Sequence, residues 1–503
     1  MRYVISYDLG TSSLKASIID DKLNVVAEAV QSYKTYSDSG VIREQNPVDW
    51  ERSMEITTKE LMNKFPNPDL IEGIGISGHS LGVVAVDKNK ELLINRTPIW
   101  SDGRAQKQAD EFFSTVDYEE WYNRTGNGFT RQLYSLFKIM WYKENMPRIY
   151  ENASFFLGTK DWLNMRLCGN VYTDHSYASG SGVYDLAKHS YHDEYIEKAD
   201  LRKDIFPPIK ESSAVIGTLT KEASLKLGLP QSVKVVCGGV DNACMTLGAG
   251  CIRDGESYVS LGSSAWIAAS ASSPVTNFEK KIYTWAHCIP DMYIPSSGIF
   301  SAGTSHEWVI SNLFSELDDN EKYSKFDEMA KNAPLGSENV FFCPVMSGGS
   351  NVDASTQMKG GFINIDLNTT KECLARATYE GIAYELKLSF DAISSVMPIE
   401  KDILFVGGGA KSRVWCRIFA DILEKNILKS DVSRAIASIG AASLALVGIG
   451  SWEHFEGLQN IKISEKIECN EKNIKPYQKG FKIFNKVCRA HADVFKAIEE
   501  EIQ

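Results

Sequence analysis

Alternating apolar and polar residues at the start of the chain predict a small β-sheet. Strands are predicted over 3–8, 14–20 and 23–30, because successive side chains of a strand point to opposite faces and one face is buried. A helical pattern begins at about Pro47, and a continuous apolar strand covers Ile71 to Ser77. Strands that alternate with helices in this way predict an α/β protein.

The second half of the chain repeats the order of the first. In the first half the further predicted elements are a strand at 82–87, helices at 104–122, 133–146 and 160–167, and a strand at 233–237. In the second half they are hairpin strands within 257–270, helices at 303–314, 369–394, 434–446 and 481–498, and a strand at 403–406. A chain of 503 residues is too long for one compact domain. We expect two domains, 1–247 and 248–503, and a cleft between them because no flexible linker separates the halves.

A short phrase of the form Leu-Gly-(Thr/Ser)-Ser occurs once in each half. The first copy continues through Gly10, Thr11, Ser12 and Ser13, and the second contains Gly262 and Ser263. Each lies between apolar, alternating segments and is predicted to be a hairpin turn, with glycine at positive φ. Such turns direct N–H groups and hydroxyls toward a phosphate. One copy is typical of any Gly/Ser hairpin, but two copies indicate a polyphosphate held between two similar halves.

Two further glycine-containing turns follow predicted strands. Asp241 and Asn242 come directly after Gly238-Gly239-Val240, so Asp241 is expected on the first helical turn, either as a base for a substrate hydroxyl or as a helix cap. Gly407, Gly408 and Gly409 precede Ala410 and would let the backbone approach an adenine or ribose. This is not a P-loop, because Ala410 precedes Lys411 where that motif needs glycine.

A literal G-x-G-x-x-G at Gly73, Gly75 and Gly78 is not expected to bind a dinucleotide. These glycines lie inside a strand pattern, and no helix begins at the third. We predict that they allow close packing of a buried strand.

Polar residues at other strand ends are candidate contacts of a small ligand. His79 follows the strand that begins at Ile71, and Trp100, Asp102 and Arg104 follow the next hairpin. Each has a structural alternative: His79 as a buried, hydrogen-bonded histidine, and Asp102 with Arg104 as an ion pair.

Composition narrows the class of protein. The net charge is −11 and no Lys/Arg run is present, which argues against a nucleic-acid partner. The N-terminal residues show no leader pattern, and no apolar run is long enough for a membrane span. Ten scattered cysteines without a C-x-x-C pair favour a reduced, cytoplasmic protein.

At this point the ordered motifs resemble those of the FGGY carbohydrate kinases. The matching segments are Asp8–Lys15, Glu44–Trp50, Gly75–Gly78, Trp100–Arg104, Lys138–Asn145, Gly239–Ala243, Ser260–Ser264, Glu380–Tyr384 and Gly407–Trp415. They run in order across nearly the whole chain, and although each is weak, the ordered set is specific.

The resemblance implies two actin-like, ribonuclease-H-like lobes with ATP and substrate in the cleft. It implies transfer of the ATP γ-phosphoryl group to a sugar or polyol hydroxyl, with Asp241 as general base and Asp8 holding Mg²⁺. The implied nucleotide contacts are Gly10, Thr11, Ser12, Ser13, Lys15, Gly262, Ser263, Gly408, Gly409 and Ala410. The candidate sugar contacts are His79, Ser80, Leu81, Trp100, Asp102, Arg104, Asp241 and Asn242.

Segments at 173–180, 299–303 and 342–348 are most similar to the xylulokinase and gluconokinase branch. Leu81 stands where xylulokinases carry a sugar-binding histidine, Gly349 and Ser350 replace a Glu-Arg pair, and Ala435 replaces a common glutamate. A ketopentose such as xylulose is the first expectation for the substrate. Gluconate, erythritol, glycerol and ribulose remain alternatives within the family, and an ATP-gated, non-catalytic binding module is the alternative from another class. The resemblance also allows a homodimer.

Overall fold

The computed structural model describes residues 1–38, 40–350, 352–353, 355–430 and 435–502. The strands of the first half are β1 (Tyr3–Leu9), β2 (Ser13–Asp20), β3 (Val25–Ser32), β4 (Glu44–Gln45), β5 (Ile71–Gly78), β6 (Val84–Val86), β7 (Thr97–Pro98), β8 (Phe155–Leu157), β9 (Thr173–Asp174), β10 (Tyr184–Asp185), β11 (Ser190–Tyr191), β12 (Ile209–Lys210), β13 (Val215–Thr218), β14 (Lys234–Val236) and β15 (Gly239–Val240). Those of the second half are β16 (Ser257–Leu261), β17 (Ala265–Ala269), β18 (Tyr283–Ala286), β19 (Tyr293–Ile299), β20 (Phe341–Cys343), β21 (Gly361–Ile363), β22 (Asp402–Val406), β23 (Asn426–Ser430) and β24 (Ile463–Ile467).

The helices follow the same division. The first half has α1 (Pro47–Lys64), α2 (Gln106–Phe113), α3 (Tyr118–Thr125), α4 (Ser135–Asn145), α5 (Pro147–Asn152), α6 (Thr159–Cys168), α7 (His175–Ser179), α8 (Asp193–Lys198), α9 (Lys221–Leu227) and α10 (Asp241–Gly248). The second half has α11 (Gly303–Leu313), α12 (Lys322–Asn332), α13 (Lys371–Ser394), α14 (Arg413–Leu423), α15 (Ile436–Gly448) and α16 (Glu471–Ile502). No helix in the described parts of the chain combines the length and the apolar character that crossing a bilayer requires.

Two seven-stranded sheets of related topology organise the protein. The first has the order β13-β14-β5-β1-β2-β3, with β15 also paired to β5, and the second has the order β18-β19-β17-β16-β22-β23-β24. In each, three successive antiparallel strands (β1-β2-β3 and β16-β17-β19) adjoin two parallel ones (β5-β14 and β22-β23). The repeated order of elements expected from the sequence is therefore a repeated topology, and the two-lobed α/β architecture is confirmed.

The strand glycines of β5 serve packing, as predicted. A Cβ on Gly75 would lie 2.1 Å from the carbonyl oxygen of Ala441, and one on Gly73 would lie 2.7 Å from Ile449 Cγ2. Both partners come from α15 or directly follow it, so a helix of the second half lies flat on the first sheet.

Helices α10 and α15 cross at close range through two glycines. A Cβ on Gly440 would lie 1.9 Å from the Cys244 carbonyl oxygen, and one on Gly248 would lie 1.9 Å from that of Ile436. The two halves of the chain thus meet backbone to backbone along α10 and α15.

Three predicted boundaries were wrong. The single helix expected at 104–122 is two helices: α2 ends at Phe113, and Asp117 caps the start of α3 by accepting from the Glu120 N–H at 2.7 Å. The last helix begins at Glu471 rather than 481. Helix α15 begins at Ile436, and Arg434, its predicted first residue, lies outside the described residues.

Candidate active site

The turn between β1 and β2 is the first predicted phosphate hairpin. The Gly10 N–H donates to the Ser13 carbonyl oxygen at 3.1 Å, and this bond closes the turn. Thr11 and Ser12 are exposed at its tip, and no described group accepts from their N–H groups. Those two donors are available to an anion.

Three side chains hold this turn from behind. Gln45 Nε2 donates to the Thr11 carbonyl oxygen at 2.6 Å, and the Tyr33 hydroxyl donates to that of Gly10. Trp100 Nε1 donates to Thr11 Oγ1 at 2.9 Å. Trp100 was expected at the sugar, but its indole N–H is bound to the hairpin, so its polar atom positions the turn.

The turn between β16 and β17 is the second hairpin. It is closed by the Gly262 N–H, which donates to the Ser264 carbonyl oxygen at 2.9 Å. The first N–H groups of α11 support it, because Gly303 donates to Gly262 and Thr304 donates to Ser263. Ser263 is exposed at the tip. The two hairpins occupy the same position in their respective sheets.

The predicted reason for the hairpin glycines was wrong. Neither Gly10 nor Gly262 is among the glycines with positive φ in the described chain. A Cβ on Gly10 would meet only Ser13 of its own turn, at 3.4 Å, and one on Gly262 only Ser264, at 3.7 Å. Their small size therefore keeps the open side of each turn clear.

Asp8 lies near the end of β1, in the middle of the first sheet. It is opposite Lys15 of β2 and Ser77 of β5. Lys15 Nζ lies 3.5 Å from Asp8 Oδ2, and the carboxylate side chain is 15% exposed. Burial raises the pKa of Asp8, and the Lys15 ammonium opposes that rise.

Asp241 is the first residue of α10. It follows β15, where Gly239 pairs with Ser77 of β5, so the same sheet edge carries Asp8 and Asp241. Its Oδ1 accepts from the Asn242 N–H at 2.8 Å. Burial raises the pKa of Asp241 to about 7, and the negative charge of Asp8 contributes. Val240 occupies the N-cap position of α10, so Asp241 is not the N-cap residue, and its carboxylate accepts only from the neighbouring Asn242 N–H among the described groups.

Asn242 is tied to the second sheet. Its Oδ1 accepts from the Tyr258 hydroxyl at 3.4 Å, and that hydroxyl in turn accepts from Trp266 Nε1 at 3.0 Å. Because the oxygen is bound, the Asn242 amide nitrogen is the part of this side chain with free donors.

His79 is buried, but it is not the hydrogen-bonded histidine that the structural alternative required. Neither ring nitrogen has a partner among the described residues. The ring meets Trp50 edge-on, with 5.5 Å between ring centroids. Burial lowers the pKa of His79 to about 3, so the ring is neutral. Its unpaired nitrogens fit a polar ligand or an ordered water.

Ser80 and Leu81 directly follow His79. Ser80 is half-buried, whereas Leu81 is buried with a left-handed φ of 59°. The unusual backbone at Leu81 is held by Lys138, whose Nζ donates to the carbonyl oxygens of Leu81 at 2.9 Å and Ile99 at 2.8 Å. In the sequence, Lys138 stood out only as part of a family signature. Its position on an otherwise apolar helix face is the signal from which this role could have been predicted.

Asp102 and Arg104 form the ion pair that was their structural alternative, and a contact of either residue with the sugar stays a prediction. Asp102 is fully buried, and the Arg104 side chain is 6% exposed. Arg104 Nε lies 2.7 Å from Asp102 Oδ1, and its Nη2 lies 2.6 Å from Glu44 Oε1. The guanidinium also lies over the Trp141 ring at 4.8 Å. Two of the three guanidinium nitrogens, Nε and Nη2, are thus engaged by carboxylates.

The three glycines after β22 have different functions. Gly407 has φ of 95°, and a Cβ on Gly409 would lie 2.5 Å from Leu261 Cγ. Gly408 alone is exposed, with nothing within 4 Å of its Cβ position. Ala410 is buried beside it. The turn therefore offers one open backbone position to a flat ligand, and the other two glycines are required by the fold.

Comparisons with known proteins agree with this arrangement. The N-terminal domain model of the FGGY family of carbohydrate kinases matches residues 3–248, and its C-terminal domain model matches residues 257–449. A xylulose kinase of Staphylococcus epidermidis is 28% identical over 487 residues, which are 96% of this chain and 96% of that protein.

Solved structures give the same result. The xylulose kinase of Rhodospirillum rubrum is 25% identical with a TM-score of 0.89, covering 98% of this chain and 100% of that one. A gluconate kinase of Lactobacillus acidophilus has a TM-score of 0.90 at 22% identity, covering 99% of each chain. That last likeness is one of fold alone, so the fold does not select the substrate.

Proposed function

The chain belongs to the FGGY family of carbohydrate kinases, and we propose that it transfers the γ-phosphoryl group of ATP to a hydroxyl of a neutral ketopentose such as xylulose. Family membership makes it a phosphotransferase that acts on a small sugar or polyol. The choice of a ketopentose follows the xylulose kinase relatives, which match nearly the full length of the chain.

The observation that carries the proposal is the isolated carboxylate of Asp241. Its single described hydrogen bond comes from the Asn242 N–H, and its pKa of about 7 keeps the carboxylate basic enough to take a hydroxyl proton near neutral pH. The hydroxyl loses its proton to Asp241 as its oxygen attacks phosphorus and the bond to the ADP oxygen breaks. A pKa near the working pH is the value that favours such a base.

The residues around Asp241 fit Mg²⁺. Burial raises the pKa of both Asp8 and Asp241, the negative charge of Asp8 adds to the rise at Asp241, and Lys15 Nζ lies 3.5 Å from Asp8 Oδ2. Hard oxygen ligands with unsatisfied charge are what Mg²⁺ prefers, usually with water and substrate phosphates completing its shell. Asp8 would hold the ion, which neutralises charge on the transferring phosphoryl group.

The two hairpins and the Gly408 turn are proposed as the nucleotide site. The free N–H groups of Thr11 and Ser12, and the exposed Ser263, suit the β- and γ-phosphates. Lys15, Ser13 and Gly10 belong to the first hairpin. Gly262 belongs to the second, and Gly408 is the open position proposed to face the adenosine, with Gly409 and Ala410 packed behind it. We place the division between the two lobes after residue 247.

A neutral substrate is favoured over an aldonate such as gluconate. A carboxylate would need a cation, and Arg104 and His79 were the candidates. Arg104 is paired with two carboxylates, and His79 is uncharged because burial lowers its pKa to about 3. His79, Ser80, Leu81 and Asn242 instead provide hydrogen-bonding groups and an apolar contact for a sugar, with Leu81 in place of the histidine that xylulokinases usually carry.

The test is an ADP-release assay with Mg·ATP against pentuloses, hexuloses, polyols and aldonates. We expect one ketopentose to exceed every aldonate in kcat/KM. Asp241→Asn should lower kcat by about 10²–10⁴-fold, the usual contribution of a general base, with nucleotide affinity retained by calorimetry. A variant with near-normal turnover would show that Asp241 is not the base. Nucleotide binding without turnover on any substrate would favour the non-catalytic module.

A further inference from the structure

A chain of buried polar groups runs directly behind Asp241. Lys160, Asp174 and Ser176 are all fully buried. Lys160 Nζ lies 2.9 Å from Asp174 Oδ1 and 2.6 Å from Asp161 Oδ1. The Ser176 hydroxyl links this ion cluster to Val240, the residue before Asp241.

The donor and the acceptor of each hydrogen bond in this row of buried polar groups follow from the groups involved. The Val240 N–H can only donate, and it donates to Ser176 Oγ at 2.9 Å. The single hydroxyl hydrogen of Ser176 must therefore go to Asp174 Oδ2, which lies 2.5 Å away. Asp174 Oδ2 also accepts from the Ser176 N–H at 2.9 Å. The Lys160 ammonium pairs with the other oxygen of this carboxylate, Asp174 Oδ1.

The strand that contains Val240 is too short to fix its backbone firmly by itself. Strand β15 has only two residues, Gly239 and Val240, and pairs with β5 alone. Val240 is the N-cap residue of α10, and no side chain caps that helix. The bond to Ser176 therefore fixes the peptide group between Gly239 and Val240, directly before the residue that precedes α10.

We propose that Ser176, backed by Asp174 and Lys160, is a positioning residue that fixes the backbone at Val240 and so directs the Asp241 carboxylate at the reacting hydroxyl. This inference rests on the proposed role of Asp241. Burying a lysine and two carboxylates costs free energy, and apolar residues in their place often leave a protein equally or more stable. This cluster bonds to Val240, the residue before the proposed base, and apolar packing cannot supply such a directional bond. The position of the base matters, since a displacement of about 1 Å at a reacting group costs roughly 10²-fold in rate.

The chain offers a matched control for a merely structural role. Ser212 is also buried, and its hydroxyl donates to the same oxygen, Asp174 Oδ2, at 2.8 Å. The Ser212 hydroxyl has no described bond to Val240. Ser176→Ala and Ser212→Ala each remove one hydroxyl bond to Asp174, but only the first removes the anchor of the base.

The experiment measures kcat, both KM values and Tm for the two variants, with rates normalised to the nucleotide-binding stoichiometry from calorimetry. We expect Ser176→Ala to lower kcat about 30–100-fold, with both KM values within threefold of wild type. Ser212→Ala should keep kcat within threefold while its Tm falls similarly. If Ser176→Ala does not fold, Ser176→Cys fills the site with a side chain of the same shape that is a much weaker acceptor and gives the same comparison.

Two outcomes separate this inference from the proposed function. Equal kcat in the two serine variants, with Asp241→Asn inactive, would overturn the positioning role and leave the base in place. An active Asp241→Asn would remove the base itself, and the inference with it. A Ser176→Ala, Asp241→Asn double variant that is no slower than Asp241→Asn alone supports the positioning role, because the two residues then act as one unit.

Discussion

Asp241→Asn should make the folded protein more stable above neutral pH, although it removes the proposed base. The carboxylate is largely buried beside Asp8, and burial raises its pKa from 3.8 to about 7. In the unfolded chain the same group ionises near its ordinary value. Wild type must therefore hold a buried charge at pH 8 that the amide of the variant does not carry.

The magnitude follows from the two pKa values. A tenfold change in proton affinity is worth about 1.4 kcal/mol, so a pKa that rises from 3.8 to about 7 costs wild type about 4 kcal/mol once Asp241 is ionised. Because the folded pKa is the higher one, this loss begins as pH rises past 3.8 and is complete above about 7. The stability of the variant relative to wild type should therefore grow between pH 4 and pH 8 and then stay constant.

Thermal unfolding of both proteins without nucleotide or Mg²⁺, from pH 4 to pH 8, measures this difference. At roughly 2–4 °C per kcal/mol for a domain of 150–250 residues, the gap in Tm should approach about 10 °C at pH 8. Asp193→Asn is the control, since Asp193 is 60% exposed and its bond to Lys203 is a surface ion pair worth less than about 1 kcal/mol. A gap independent of pH, or a variant less stable than wild type at pH 8, would refute the reasoning.

Two further predictions concern residues whose expected and observed surroundings differ. Gly408→Ala should raise the KM for ATP with little change in Tm, because its Cβ faces open space. Gly409→Ala should instead lower the free energy of unfolding by about 1–3 kcal/mol, because its Cβ meets Leu261. Steady-state kinetics and urea unfolding distinguish the two variants, and the reverse pattern would contradict the assignment. Arg104→Met should lower the free energy of unfolding by about 3–5 kcal/mol, because it strands the carboxylates of Asp102 and Glu44. The folded fraction of this variant should keep a nearly normal KM for sugar. A large rise in that KM at unchanged stability would show that Arg104 contacts the substrate.

The parts of the site that the sequence predicted are set by local chemistry. Both hairpin turns and the start of α10 at Asp241 follow from glycines between alternating strands and from a strand that ends before a helical pattern. The packing function of Gly73 and Gly75 followed from their place inside a strand. The roles given to Asp8 and Asp241 came from the family resemblance, since a carboxylate at a strand end has several uses.

The parts that the sequence did not predict depend on partners far away in the chain. The sequence offered Arg104 as a contact of the ligand, but in the structure its Nη2 donates to Glu44 Oε1, 60 positions earlier in the chain. Trp100 donates to Thr11, 89 positions away. The linear pattern also showed no reason for α2 and α3 to separate, because the apolar face continues through the break and only the Asp117 cap marks it.

Helix α15 also sets the order in which the protein can fold during synthesis. All strands of the first sheet have been translated by Val240, yet a face of β1 and β5 is covered by α15, which ends at Gly448. At about 5–20 residues per second, the ribosome takes roughly 10–40 s to add the intervening segment of about 200 residues. During that interval the glycine-containing face of β5 has no cover from its own chain. This face of the first sheet therefore gains its own cover only when most of the second half has been translated.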